Sequence, residues 1–219
     1  MENIYCNWSG GSGMGSLTTS TAISNITYRN IYTQSSNQMY MIKGSGGSGS
    51  VSNILLENFI GHHNAYSLNI DQYWSSMTRL AGEGVHISDV AVHNWTGTER
   101  NGLQRGPVKL ACEDNRPCTG IDLYDVNLWT ETGESQFHSC RSAYTDVRRE
   151  PAQYCLKGDD ANTAYEERRV TVTTPPEGYQ AATMAADLTE GVGITESIAI
   201  PTMPASFFPG IPPFSAFAG

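Results

Sequence analysis

Ser52-Asn53-Ile54-Leu55-Leu56-Glu57-Asn58-Phe59 is one of four stretches built to a single pattern. The others are Ser24-Asn25-Ile26-Thr27-Tyr28-Arg29-Asn30-Ile31, Ser88-Asp89-Val90-Ala91-Val92-His93-Asn94-Trp95 and Thr119-Gly120-Ile121-Asp122-Leu123-Tyr124-Asp125-Val126. Each sets a polar pair before an apolar residue, alternates, and then places Asn or Asp ahead of another apolar residue. Their first residues, 24, 52, 88 and 119, are separated by 28, 36 and 31 positions. Asn3-Ile4 reads as the tail of an earlier copy, with Asn3 27 residues before Asn30. Recurrence at about 20–50 residues marks a solenoid or a similar array, whose function lies along one outer surface.

Between the copies lie second alternating segments: Gln38–Lys43, Tyr66–Asp71, Val108–Ala111 and Gln136–His138. Alternation predicts half-buried strands. Gly and Ser clusters such as Gly44-Ser45-Gly46-Gly47-Ser48-Gly49-Ser50 separate them as turns do. Two short strands per repeat and no helical period leave an all-β parallel β-helix. Asn3, Asn30, Asn58, Asn94 and Asp125 then fall at one turn of successive coils, where Asn tolerates a left-handed backbone and its amides can bond along the column. Ile26, Tyr28, Ile54, Leu56, Val90 and Val92 are the expected filling. The coils are expected over 1–155. The rest, 156–219, is expected to hold a last strand at Val170–Thr173, a short helix over Ala181–Leu188 and an extended Pro-rich tail from Pro201.

The formal net charge of −9 argues against nucleic acid, whose binding rests on phosphate neutralisation. No apolar run is long enough to span a membrane as a helix. Cys112 and Cys118 bracket a short polar loop, and Cys140 and Cys155 a longer basic one, which leaves Cys6 over. Two disulfides fit an oxidising compartment; reduced structural thiols are the alternative. A metal site is not expected, because no CxxC pair occurs and the adjacent His62-His63 is far from the cysteines. Asn7, Asn25 and Asn94 begin glycosylation triplets. Glu113-Asp114 reads as solvated surface.

Cys6-Asn7-Trp8-Ser9-Gly10-Gly11-Ser12-Gly13-Met14-Gly15-Ser16-Leu17 resembles the Cys-x-Gly-Gly-His-Gly turn of the pectin-degrading family 28 glycoside hydrolases, with Gly10 where the histidine belongs. Met41-Ile42-Lys43 stands for that family's Arg-Ile-Lys, and Tyr66-Ser67-Leu68-Asn69-Ile70-Asp71-Gln72 is similar to its Tyr-Gly-Ile-x-Ile-x-Gln strand. Loss of both the histidine and the arginine resembles the rhamnogalacturonan hydrolase branch. The resemblance implies a secreted right-handed parallel β-helix of the pectin-lyase-like kind. It also implies hydrolysis of the galacturonic acid–α-1,2–rhamnose bond with inversion, no cofactor, and a monomeric parent enzyme acting on a pectic polysaccharide.

Inverting hydrolysis needs two carboxyl groups flanking the bond. In the family these lie on coils before the Cys-x-Gly-Gly turn, upstream of the position of Met1, along with the partner of Cys6. The expectation is therefore the C-terminal part of a longer enzyme, lacking the first coils and cap, with no catalytic residue of its own. Met1-Glu2-Asn3 leads straight into strand-like sequence, so no signal peptide is expected within the chain, and an exposed coil edge predicts self-association. Lys43 is the expected substrate-binding residue, an ammonium for a uronate carboxylate, with Tyr40, Tyr66 and Asp71 beside it. The alternatives are a polygalacturonase or exo-acting relative, and a non-catalytic pectin-binding β-helix.

Overall fold

The computed structural model describes residues 1–100, 106–130, 133–146, 154–158 and 163–172. In chain order the strands are β1 (Glu2–Asn7), β2 (Ser12–Leu17), β3 (Thr21–Gln34), β4 (Tyr40–Gly44), β5 (Gly49–Asn64), β6 (Leu68–Asp71) and β7 (His86–Glu99). They continue as β8 (Val108–Ala111), β9 (Thr119–Thr130), β10 (Ser135–Arg141), β11 (Tyr144–Thr145), β12 (Lys157–Gly158) and β13 (Glu166–Val172). Long strands β1, β3, β5, β7 and β9 stack side by side, all parallel. Short strands β2, β4, β6, β8 and β10 form a second parallel stack, and β13 adds to it antiparallel to β10. One long and one short strand make a coil, and the whole is the expected parallel β-helix. No helix occurs among the described residues; the helix and tail predicted from the sequence lie outside them. The last strand begins earlier than predicted, at Glu166, because an edge strand takes charged side chains readily.

Two columns of left-handed residues bend every complete long strand. Asn3, Asn30, Asn58, Asn94 and Asp125 have φ of 57, 55, 58, 50 and 51°. Strand pairing skips this position: Arg29 pairs Glu57, and the next pair is Ile31 with Phe59. The amides form the expected ladder. Asn30 Nδ2 donates to Asn3 Oδ1 (2.9 Å), Asn58 to Asn30 (2.6 Å) and Asn94 to Asn58 (3.1 Å). A second column, Asn25, Asn53, Asp89 and Gly120, has φ of 59, 55, 54 and 60°. It was equally present in the repeats, and Asn53 Nδ2 donates to Asn25 Oδ1 at 2.6 Å.

Between these bends the side chains pointing inward fill the solenoid. Ile54, Leu56, Val90 and Val92 are all buried, and Ile26 packs against them. An aromatic file runs through the middle. Tyr28 meets Tyr40 edge-on (5.0 Å), Tyr40 meets Phe59 (6.2 Å), and Phe59 stacks on Trp95 (4.1 Å). Full burial of such side chains contributes roughly 1.5–3 kcal/mol each. Trp95 Nε1 donates to Ser67 Oγ at 2.6 Å, so its polar atom is satisfied.

Both expected disulfides are formed, Cys112–Cys118 and Cys140–Cys155. Cys6 is free and half-buried, and burial raises its thiol pKa. Glu113 is not the solvated residue expected. It is 4% exposed, takes both arms of Arg79 at 2.6 and 3.0 Å, and accepts the Gly46 N–H at 3.3 Å. One buried carboxylate thus ties together the loops that follow β4, β6 and β8.

Candidate functional site

The outer face of the short-strand sheet gathers the polar side chains that can meet a ligand. On β4 the alternation buries Tyr40 and Ile42 and turns Met41 and Lys43 outward. The register continues this face across the sheet. Lys43 lies beside Asp71, Asp71 beside Ala111, Ala111 beside Arg141, and Arg141 beside Glu166. Two residues earlier along the strands run Met41, Asn69, Lys109, Ser139 and Arg168. Next to β4 the floor is bare: a Cβ at Gly13 would sit 2.7 Å from the Met41 carbonyl oxygen, and one at Gly15 2.6 Å from that of Lys43. Only glycine lets β2 lie this close, and it leaves open backbone beside Lys43.

Two of the four expected binding residues face one another's strands here. Lys43 places its ammonium 5.2 Å from the centre of the Trp74 ring. Asp71 is 6% exposed; its Oδ1 accepts the Tyr73 N–H at 2.9 Å and its Oδ2 accepts Lys109 Nζ at 2.5 Å. Tyr40 does not belong to the face. It is 0% exposed within the aromatic file, where burial raises its hydroxyl pKa, so it cannot touch a sugar. Its parity was illegible because Met39-Tyr40-Met41-Ile42 is apolar at every position. Tyr66 is half-buried at the turn entering β6.

Further along lies a hollow of about 230 Å³ that sequence reasoning missed. Ala111 and Ser139 give it a low floor; Lys109, Arg141, Arg168, Asp71, Glu166 and Tyr73 line it. Arg141 serves as a wall. Its guanidinium binds Asp114 through two bonds of 3.1 and 2.6 Å and lies 4.1 Å over the Tyr73 ring. That pairing holds the Asp114 carboxyl below its ordinary pKa and raises that of Arg141. Lys109 uses one of its three N–H donors on Asp71.

The two carboxylates on the strands of this face, Asp71 and Glu166, lie three strands apart. At about 4.8 Å per strand that is roughly 14 Å, beyond the ~6.5–9.5 Å that an inverting pair spans. Among the described residues no three His, Cys, Asp or Glu side chains gather where a metal ion could sit. His138 is buried and its pKa falls to about 4. Asn7, Asn25 and Asn94 are exposed, and the last two belong to the amide ladders.

The sequence that builds this face is similar to that of known proteins. Residues 1–148 match the family model described as Glycosyl hydrolases family 28. The whole chain is 57% identical to Rhamnogalacturonase A of Aspergillus aculeatus, covering 48% of that protein. It is 55% identical over 218 residues to a probable rhamnogalacturonase A of Aspergillus niger, covering 47% of it. Over 216 residues it is 56% identical to a probable rhamnogalacturonase B of Neosartorya fischeri, covering 41%. The chain thus spans about half the length of the curated relatives it matches. A matched segment that takes in β1 to β10, on the coil architecture described above, makes this chain a member of glycosyl hydrolases family 28.

Proposed function

We propose that the chain is part of a secreted enzyme that hydrolyses the galacturonic acid–rhamnose bonds of rhamnogalacturonan with inversion. The observation that carries this is the 57% identity to a rhamnogalacturonase over the full 219 residues. The face geometry supports the same chemistry: Lys43 offers a compact positive charge beside open backbone, where a sugar ring can lie flat and present its carboxylate. Two disulfides suit an extracellular location, and Asn7, Asn25 and Asn94 are the proposed glycan acceptors.

The hydrolytic pair is proposed to sit on coils stacked against the free edges of β1 and β2, on the Lys43 side of the face. In this reading the 219-residue chain binds pectic glycan and does not cleave it. Asp71 favours that view, since both its oxygens are committed to Lys109 and Tyr73. The test is release of reducing ends from rhamnogalacturonan. The chain alone is expected to give none, and a protein carrying the preceding coils of a relative is expected to restore it. Turnover by the 219-residue chain would overturn the assignment of the acids.

A further inference from the structure

Glu113 is a buried carboxylate to which nothing above gives a task in binding. A buried ion pair adds little net stability, so its effect is sought in what it holds in place. Its Oε1 accepts Arg79 Nη1 at 2.6 Å and the Gly46 N–H at 3.3 Å, and its Oε2 accepts Arg79 Nη2 at 3.0 Å. The support beneath it is firm: Cys112 is bonded to Cys118, and the Glu113 carbonyl accepts the Arg116 N–H at 3.1 Å. Gly46 belongs to the strip that leaves β4, and Arg79 to the loop that leaves β6. That loop is fastened to that strip at two points. The Trp74 N–H donates to the Gly44 carbonyl at 3.1 Å and the Leu80 N–H to the Ser45 carbonyl at 2.9 Å. Between them the Met77 N–H donates to the Trp74 carbonyl at 3.0 Å and turns the chain. Trp74 therefore stands at the root of a closed loop, with its ring 5.2 Å from the Lys43 ammonium. Asp71 on the next strand does not compete for that ammonium, because its oxygens go to Lys109 and to the Tyr73 N–H.

We propose that Glu113 is a positioning residue for Lys43: through Arg79 and Gly46 it fixes the loop that sets the Trp74 ring against the lysine ammonium. A lysine carries its charge on a flexible four-carbon stem. An aromatic face within about 6 Å attracts that charge and restrains the stem. An ammonium already held in place loses less freedom when a ligand carboxylate arrives. Without the Glu113–Arg79 pair the loop keeps its backbone bonds and loses its tie to the Cys112–Cys118 loop, and the Trp74 ring can turn from Lys43. Glu113 itself touches no ligand. The proposal takes its ligand from the pectic reading above and adds to it the line from Glu113 through Arg79 and Trp74 to Lys43.

Two measurements on the 219-residue chain test it. The first needs no ligand and follows the Trp74 indole N–H resonance. Lys43→Met is expected to move this resonance in the otherwise wild-type chain, and to move it less than about half as far in the Glu113→Gln chain. The second is binding of a galacturonate–rhamnose hexasaccharide. Glu113→Gln is expected to weaken it about threefold, and less than about 1.5-fold once Trp74→Leu is present. A general loosening of the fold would act alike in both backgrounds. If Glu113→Gln loses the strand circular-dichroism spectrum, Arg79→Gln, at the exposed end of the same pair, takes its place with the same expectations. A Trp74 resonance that ignores Lys43→Met in the wild-type chain, a Lys43→Met response of full size in the folded Glu113→Gln chain, or equal weakening with and without Trp74→Leu overturns the proposal while the pectic reading stands. Failure of the hexasaccharide to bind the wild-type chain overturns the pectic reading, and the resonance measurement then decides the positioning alone.

Discussion

The first coils are tied by amides and the last by sulfur. From Asn30 to Asn94 each asparagine of the ladder donates one side-chain hydrogen bond to the coil before it. At the next coil the column holds Asp125, which has no amide to donate and instead accepts from Asn127 Nδ2 at 3.0 Å. On either side of that break Cys112–Cys118 and Cys140–Cys155 hold the chain. The interiors differ in the same way. Around Phe59 and Trp95 the filling is aromatic; Trp95 Nε1 is paired, and the Tyr40 hydroxyl is the one polar atom of that aromatic file with no hydrogen-bond partner among the described residues. Toward the last coils Glu99, Gln136 and His138 are buried with side-chain atoms that have no hydrogen-bond partner among the described residues. A repeat that propagates its own ladder needs no covalent tie, and a stretch that has lost the ladder and carries a polar interior does.

The sharpest way to break this contrast is to remove sulfur. Replacing Cys140 and Cys155 by Ala opens a loop of 15 residues, and the expected loss is about 3 kcal/mol. Urea unfolding would measure it; a change within error would show that the last coils do not depend on the bridge.

Acid probes the same end. Burial lowers the pKa of His138 from 6.5 to about 4. As pH falls, the unfolded chain takes up this proton first. Stability is therefore full above about 6.5 and declines down to about 4, by on the order of 3 kcal/mol. Melting curves of His138→Leu are expected to lack this decline. Glu99 acts with the opposite sign: burial raises its pKa well above the ordinary carboxylate value. Its neutral form suits the native state, so stability drains away as pH rises above the ordinary carboxylate range. Glu99→Gln is expected to raise the melting temperature by an amount that grows from acid to neutral pH; a constant offset would contradict this.

Within the ladder the effects are smaller. Asn58 both donates and accepts, at φ 58°. Asn58→Ala loses both bonds and strains the backbone, for about 1–2 kcal/mol, while Asn58→Gly relieves the strain and loses only the bonds. Equal effects of the two would mean that the amides contribute nothing. The smallest change is expected at the exposed pair Arg29–Glu57, 2.6 Å apart on the long-strand sheet. Arg29→Ala should cost less than about 0.5 kcal/mol and less still in high salt.

What could be read from the sequence follows the same division. The Asn column was legible because the left-handed preference of Asn is local and the repeats aligned it. The disulfides were legible because each closes a short loop. The hollow was not. Lys109, Arg141 and Arg168 are separated by 32 and 27 residues, and only the register of β8, β10 and β13 sets them side by side. Glu113 and Tyr40 failed for one reason: burial depends on which face an element turns inward, and neither a polar loop nor an unbroken apolar run declares it.

The short-strand face is proposed to meet the glycan, and the long-strand sheet to be structural. A two-dimensional NMR titration of the chain with the galacturonate–rhamnose hexasaccharide tests it most directly. Saturable shifts are expected at Lys43, Asp71, Tyr73 and Lys109, with Arg29, Glu57, Asn58 and His93 unmoved. Shifts centred on the long-strand residues, with the short-strand face silent, would contradict it.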